Sequence, residues 1–314
     1  MNPGYRIAVL NLVASVAAIL MFFTTNPWVS IALWVVTLAS VAYSTEITIA
    51  LYNVRIWYNV IVVSALAALP QAISAIELAL GGHVEAAWVD TLMSTVVDAI
   101  FVTALVRPYA PGSPYIKSLL PSLILWSMAA LAVDLYAHTG IQSPLVTSVF
   151  VGLGYLALPI LITLNIGGGG PWERPPAKVI ATALVNTVAM SIATWYLIES
   201  VYQLQLAELQ LGLTSTFLTA LPDLIAALMI RAIFAAIEGS EASEAEAVAT
   251  MLAAAVHDQV SVPALILLMV PGAGGLYPTL LNLFAVAVKF TLLNRKAYYL
   301  IGLPASLAIV LLLL

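Results

Sequence analysis

Apolar stretches long enough to cross a bilayer follow one another along almost the whole chain, and no other feature restricts its fold so tightly. In hydrocarbon a backbone N–H or C=O finds no water to bond. A segment of about twenty apolar residues must therefore satisfy its own backbone as a helix. Of the 314 residues, 63% are hydrophobic and 8% charged, several times less charge than a soluble domain of this size needs to cover its surface. The expected class is all-α: a polytopic integral membrane protein, with the lipid bilayer as partner, no extramembrane domain and no nucleic-acid binding. Cysteine is absent, which removes disulfides, thiolate metal sites and cysteine nucleophiles. Met1 to Arg6 and the apolar run behind them have the outline of a signal peptide but no small-residue cleavage site, so the first helix is expected to be retained.

Proline, glycine, asparagine and charged residues divide the chain into about eleven spans, near 5–25, 28–53, 56–81, 86–107, 115–137, 143–165, 177–203, 207–237, 245–270, 274–293 and 296–314. Basic residues concentrate in cytoplasmic loops. The 10 lysines and arginines here, Arg6, Arg55, Arg107, Lys117, Arg174, Lys178, Arg231, Lys289, Arg295 and Lys296, all fall at or near odd-numbered gaps. Eleven spans thus give one orientation, with the N-terminus cytoplasmic and the C-terminus outside, in what is expected to be a prokaryotic plasma membrane. Ten or twelve would scatter the charges.

One short phrase occurs twice deep inside apolar runs, Ala68-Leu69-Pro70-Gln71 and Ala220-Leu221-Pro222-Asp223, 152 positions apart. Each copy predicts a proline-broken helix with a polar group at membrane depth, the proline freeing backbone carbonyls about one turn earlier. With residues 1–26 set aside as an extra N-terminal helix, the phrases occupy the second span of two five-helix units, 27–166 and 177–314, of opposite orientation. Residues 167–176, rich in glycine and proline, suit a cytoplasmic connector. Two inverted repeats with polar groups at the midplane are how secondary transporters are built. The other polar stretch, Glu238 to Glu246, reads as the acidic N-terminus of the following helix.

A carboxylate in the bilayer core is costly unless it is paired, protonated or holding an ion. The candidates are Glu46, Glu77, Asp90, Asp98, Asp134, Glu199, Glu208, Asp223 and Asp258, with very few basic residues at comparable depth. Protons, cations or water must neutralise most of them. Asp90, Ser94 and Asp98 recur at i, i+4 and i+8, which lays a stripe of oxygens along one helix face with Thr95 beside it. His257, Asp258 and Ser261 form a second cluster, and Gln71 and Asp223 take equivalent positions in the two phrases. Oxygen-rich sites without cysteine suit hard cations such as Ca²⁺, Na⁺ or Mg²⁺.

These residues resemble the cation/Ca²⁺ exchanger superfamily, whose two inverted repeats each carry a helix reading roughly Gly-Thr-Ser-x-Pro-Glu/Asp and then one reading Asn-x-x-Gly-Ser-Asn-x-x-Asn/Asp. Thr219-Ala220-Leu221-Pro222-Asp223 looks like the first signature in aspartate form, and Asp90, Ser94, Thr95 and Asp98 stand at the spacing of the second. Tyr43-Ser44-Thr45-Glu46 and Leu197-Ile198-Glu199-Ser200 are similar to the family's glutamate-bearing segment. The resemblance covers roughly residues 28–314. Gln71 replaces one central acid, Ala67-Ala68 replace Thr-Ser, and Val256-His257-Asp258 stands where the second repeat has Gly-Ser-Asn.

The resemblance implies a secondary active antiporter of the sodium/calcium-exchanger kind, not an enzyme, which exchanges Ca²⁺ for Na⁺ or H⁺ by alternating access. Its expected ion-binding residues are Gln71, Asp90, Ser94, Asp98, Thr219, Asp223, His257, Asp258 and Ser261, with Asp90, Asp98, Asp223 and Asp258 as metal ligands. Glu46, Glu199, Pro70 and Pro222 are expected gating or accessory positions. No cofactor is expected beyond the transported cations. A non-transporting or sensor descendant, and an exchanger of Mg²⁺ or a monovalent ion, are the alternatives. A membrane hydrolase is disfavoured, because His257 has no partner histidine four residues away to complete a zinc face. Glu77 and Asp134 are expected to be structural and close to the interfaces, His83 and His138 solvated in outer loops, and the tryptophans and tyrosines interfacial belts or core filling.

Overall fold

The structure, a computed structural model, describes residues 3–52, 59–98, 111–141, 143–165, 176–220, 240–270 and 272–313. All its regular elements there are helices. Each of the eleven expected spans contains one. They are α1 (Pro3–Met21), α2 (Pro27–Tyr52), α3 (a π-helical turn Asn59–Val63 running into Ser64–Leu80), α4 (Val84–Val96), the short α5 (Pro114–Ser118) and α6 (Leu120–His138). Then follow α7 (Pro144–Asn165), α8 (Ala177–Tyr202) and α9 (208–220). The last are α10 (Ser240–Val256, a π turn His257–Ser261, then Val262–Met269), α11 (Leu276–Thr291) and α12 (Arg295–Ala297, a π turn Tyr298–Gly302, then Leu303–Leu313). Among the described residues seven helices are long and apolar enough to cross a membrane.

Local chemistry sets the helix starts. Ser113 and Ser143 accept from the backbone N–H of Ile116 and Val146, each with proline at the first helical position, where its missing donor costs nothing. Asn294 accepts from the N–H groups of Lys296 and Ala297. The described part of α10 runs from Ser240, so the acidic stretch from there to Glu246 is helical.

Pro70 acts differently from expectation. The expected break at Pro70 does not occur: α3 remains α-helical through it, so the proline removes one hydrogen bond without opening the helix. Three other prolines widen their helices instead. Pro159, Pro263 and Pro304 each stand two residues beyond a π turn, at Leu153–Ala157, His257–Ser261 and Tyr298–Gly302. The carbonyl that each proline cannot bond, four residues back, belongs to the central residue of the turn: Tyr155, Gln259 and Leu300. Switching to i→i+5 bonding there keeps the chain helical around the missing donor.

Lipid is as apolar as leucine, so close packing and interhelical hydrogen bonds hold such a bundle together. At its centre runs α10, with 89% of its apolar window buried against 28% for α1 and α7. Ala249, Ala253, Ala254 and Ala255 let its neighbours approach closely. Helices α2 and α8 cross antiparallel, pinned by Ser200 donating to Ser30 (2.7 Å), Trp34 Nε1 to Thr194 (3.2 Å) and Asn186 to Thr45 (2.9 Å). Such bonds contribute roughly 0.6 kcal/mol each in a membrane protein. Helix α1 lies against both, while Phe23, Leu145 and Leu300 point large apolar side chains outward.

One charge assignment changes. Lys289, counted with the residues at cytoplasmic gaps, lies within α11 and is completely buried. His83 stands in the turn between α3 and α4, as expected of a loop residue, and pairs there with Glu208 at the start of α9 at 2.6 Å. Asp134 is buried and accepts from Thr279 (3.0 Å), and His138 is exposed.

Candidate ion-binding site

The site is built where α3, α4, α9 and α10 meet. Gly212 on α9 makes this possible. A Cβ there would stand 2.7 Å from the Ala86 carbonyl oxygen and 2.7 Å from Val89 Cβ, so only glycine lets α9 lie directly on α4. One and two turns later on the same face, Thr216 and Thr219 reach Asp90. Thr216 Oγ1 donates to the Asp90 carbonyl (3.3 Å), and Thr219 Oγ1 points at its carboxylate oxygen Oδ1 (3.4 Å). Gln71 closes the group. Its Nε2 donates to Asp90 Oδ1 (2.6 Å) and to the Asp90 carbonyl (2.7 Å), and its Oε1 accepts from Thr219.

One turn along α4 from Asp90, Ser94 Oγ donates to Asp258 Oδ2 (2.9 Å), so the first cluster is continuous with the π turn of α10. Thr219, Gln71, Asp90, Ser94 and Asp258 thus form one seam of polar groups, and every member is fully buried. Asp98, one further turn along, is also fully buried.

His257 lies to the side of this seam. Its Nε2 is 3.1 Å from Ser64 Oγ, and its ring stacks on Tyr155 at 4.3 Å. The contact brings two proline-driven π turns face to face. Gly154 permits it, since an added Cβ would run into the Ser261 hydroxyl. Ser261 itself donates to the Val151 carbonyl (3.2 Å). It therefore joins α10 to α7.

The remaining expected positions divide. Asp223 and Pro222 lie outside the described residues. Pro70 sits one residue before Gln71 in the unbroken α3. Glu46 is half-buried on α2, and Glu199 is exposed on α8, where it accepts from Trp195 of its own helix (3.1 Å). Neither joins the seam by a hydrogen bond among those described.

Sequence reasoning missed Ser74, Ser215 and Thr216. Ser74 stands beside the Asp90 carboxylate. Ser74 Oγ, Ser215 Oγ and Asp90 Oδ2 are buried without a hydrogen-bond partner among the described residues. Buried oxygens of this kind are expensive unless something supplies positive charge or a donor, and carboxylate and hydroxyl oxygens are the ligands hard cations take. The i, i+3 step from Gln71 to Ser74 and the i, i+1, i+4 grouping of Ser215, Thr216 and Thr219 are the signals that could have found them. Among the described residues no three acidic or histidine side chains converge to hold a metal by themselves. The described acids are spread along the seam and interleaved with hydroxyls and an amide.

No protein-family model and no curated protein matches the chain. Two solved structures of the sodium-calcium exchanger NCX_Mj do, one soaked with 2.5 mM Na⁺ and 10 mM Sr²⁺ and the other with 2.5 mM Na⁺ and 0.1 mM Sr²⁺. They superpose with TM-scores of 0.56 and 0.52, at 13% and 12% identity, over 96% of this chain and 98% of theirs. At such identity the likeness is one of backbone, and the fold of this chain is that of a sodium-calcium exchanger.

Proposed function

We propose that the protein is a secondary active cation antiporter which exchanges Ca²⁺ for Na⁺ or H⁺ by alternating access. One observation carries the reading: the seam of fully buried oxygens from α3, α4, α9 and α10, lying inside an exchanger fold. Asp90 Oδ2 with the hydroxyls of Ser74 and Ser215, together with Asp98 and Asp258, would bind the cation. Asp223, outside the described residues, would add its carboxylate. Because the counter-ion competes for the same oxygens, one ion leaves as the other enters. That competition couples the two fluxes. The antiparallel crossing of α2 and α8, helices of 26 residues each, supports two units of inverted topology that expose the seam to alternate sides.

Proteoliposomes test this. Ca²⁺ uptake is followed against an outward Na⁺ gradient and then a pH gradient, in wild type and Asp90→Asn. Gradient-driven uptake that falls at least tenfold in the mutant is the expected result. Absence of flux under either gradient would refute exchange of these ions.

A specific observation favours a second reading, a non-transporting descendant of the same fold. Gln71 is bonded at both ends of its amide, to Asp90 and to Thr219, and so can act as a crosslink that keeps the seam shut.

A further inference from the structure

Lys289 is the one fully buried cationic side chain among the described residues, and nothing in the ion-binding seam uses it. We propose that it is a built-in cation of the binding region: through Gln259 it holds the π turn that carries His257 and Asp258, and its charge sets how strongly the region prefers a divalent to a monovalent ion. The second half of the proposal rests on the antiport reading above.

The surroundings are ones that an ammonium can occupy. Lys289 Nζ donates to Gln259 Oε1 (3.0 Å) and sits 3.7 Å from the centroid of the Trp126 ring. An amide oxygen and the face of an indole both attract an ammonium, and neither neutralises it. Among the described residues Lys289 makes no ion pair; the only one is His83 with Glu208. An ammonium buried at membrane depth without a counter-ion is costly.

The hydrogen bonds around it run one way. A lysine ammonium can only donate, so Gln259 must turn its oxygen toward Nζ. Its Nε2 is then committed to Asn282 Oδ1 (2.8 Å), and Asn282 Nδ2 to the Ala130 carbonyl (3.0 Å). Lys289 thereby orients every amide in the chain from α11 through α10 to α6. Gln259 is also the centre of the π turn, where Pro263 has left a carbonyl without its usual donor. Lys289 holds α10 where its backbone is weakest, one residue from Asp258.

Three variants separate the parts of the proposal. Lys289→Met removes donor and charge, Lys289→Gln keeps a donor and removes the charge, and Lys289→Arg keeps both. Equilibrium binding of Ca²⁺ and of Na⁺ to purified protein is measured alongside hydrogen exchange over 257–262. A lost unit charge acts on a divalent ion with twice the energy it exerts on a monovalent one. At about 10 Å and an effective dielectric of about 20, affinity should rise roughly tenfold for Na⁺ and on the order of a hundredfold for Ca²⁺ in both the Met and Gln variants. The Arg variant should match wild type, and exchange over 257–262 should accelerate in the Met variant alone.

Equal changes for both ions, or none, would overturn the charge role. Unchanged exchange in the Met variant would overturn the holding role. If wild type binds neither ion, the antiport reading falls and takes the charge role with it, while the exchange measurement still decides whether Lys289 holds the turn.

Discussion

Gly212→Ala is the smallest perturbation that tests how the seam is assembled. The new Cβ would stand 2.7 Å from the Ala86 carbonyl oxygen, 2.7 Å from Val89 Cβ and 2.9 Å from Val89 Cγ1. Ordinary contact begins near 3.4 Å, so α9 must withdraw from α4 by about 0.7 Å. The obstacles are a helix carbonyl and a β-branched Cβ, neither of which can swing aside. The same withdrawal stretches Thr216 to the Asp90 carbonyl from 3.3 Å, and Thr219 to Asp90 Oδ1 from 3.4 Å, to roughly 4 Å, beyond hydrogen-bonding range. Each lost bond costs about 0.5–1.5 kcal/mol and the overpacking about 1–3 kcal/mol. The expected outcome is a lower melting temperature and cation affinity reduced on the order of tenfold. Both are read on purified protein by thermal melting with and without Ca²⁺. Gly152→Ala is the control, since its Cβ would meet nothing within 4 Å. If Gly212→Ala melts and binds as the control does, the close approach of α9 to α4 does not build the site.

Two further predictions follow from the same geometry. Gln71→Glu removes the amide N–H groups that bond Asp90 and sets two carboxyls against each other, so it should raise cation affinity or confer gradient-driven Ca²⁺ uptake; an inert substitution, scored by flux, would leave Gln71 as packing alone. Gly154→Ala forces Ser261 away and separates the facing π turns. Loss of the Tyr155 and His257 stacking should appear as a change in the tyrosine near-ultraviolet signal together with a drop in melting temperature.

The gross architecture was legible because hydrocarbon permits so little. Span positions followed from apolar length and punctuation, and helices stand within all of them. The stripe of Asp90 and Ser94 was legible too, since the i, i+4 rule needs only that the segment be helical. What one helix contributes to another was not. Thr216 and Thr219 reach Asp90 only because Gly212 lets α9 touch α4, and that approach depends on the backbone of the partner. Lys289 misled the charge count for a related reason. A basic residue near the end of a span reads as a loop marker, whereas the acceptor on Gln259 and the ring of Trp126 that keep it inside come from distant parts of the chain.

Pro70 shows the right chemistry with another consequence. The repeated phrase predicts an opened helix there, yet α3 passes Pro70 unbroken, while Pro222 lies outside the described residues. The widened turns stand ahead of Pro159, Pro263 and Pro304, which no repeated phrase announces. A missing donor can be met by losing one bond or by inserting a residue into the turn, and packing decides between them. At Leu153–Ala157 and His257–Ser261 two widened turns face each other, and Gly154 gives them the room, so each supports the backbone the other has loosened. Asp258 and His257 reach the polar interior from inside such a turn. Its side chains point in directions that regular helical spacing does not give, which is why the i, i+1, i+4 pattern there identified polar residues but not their partners.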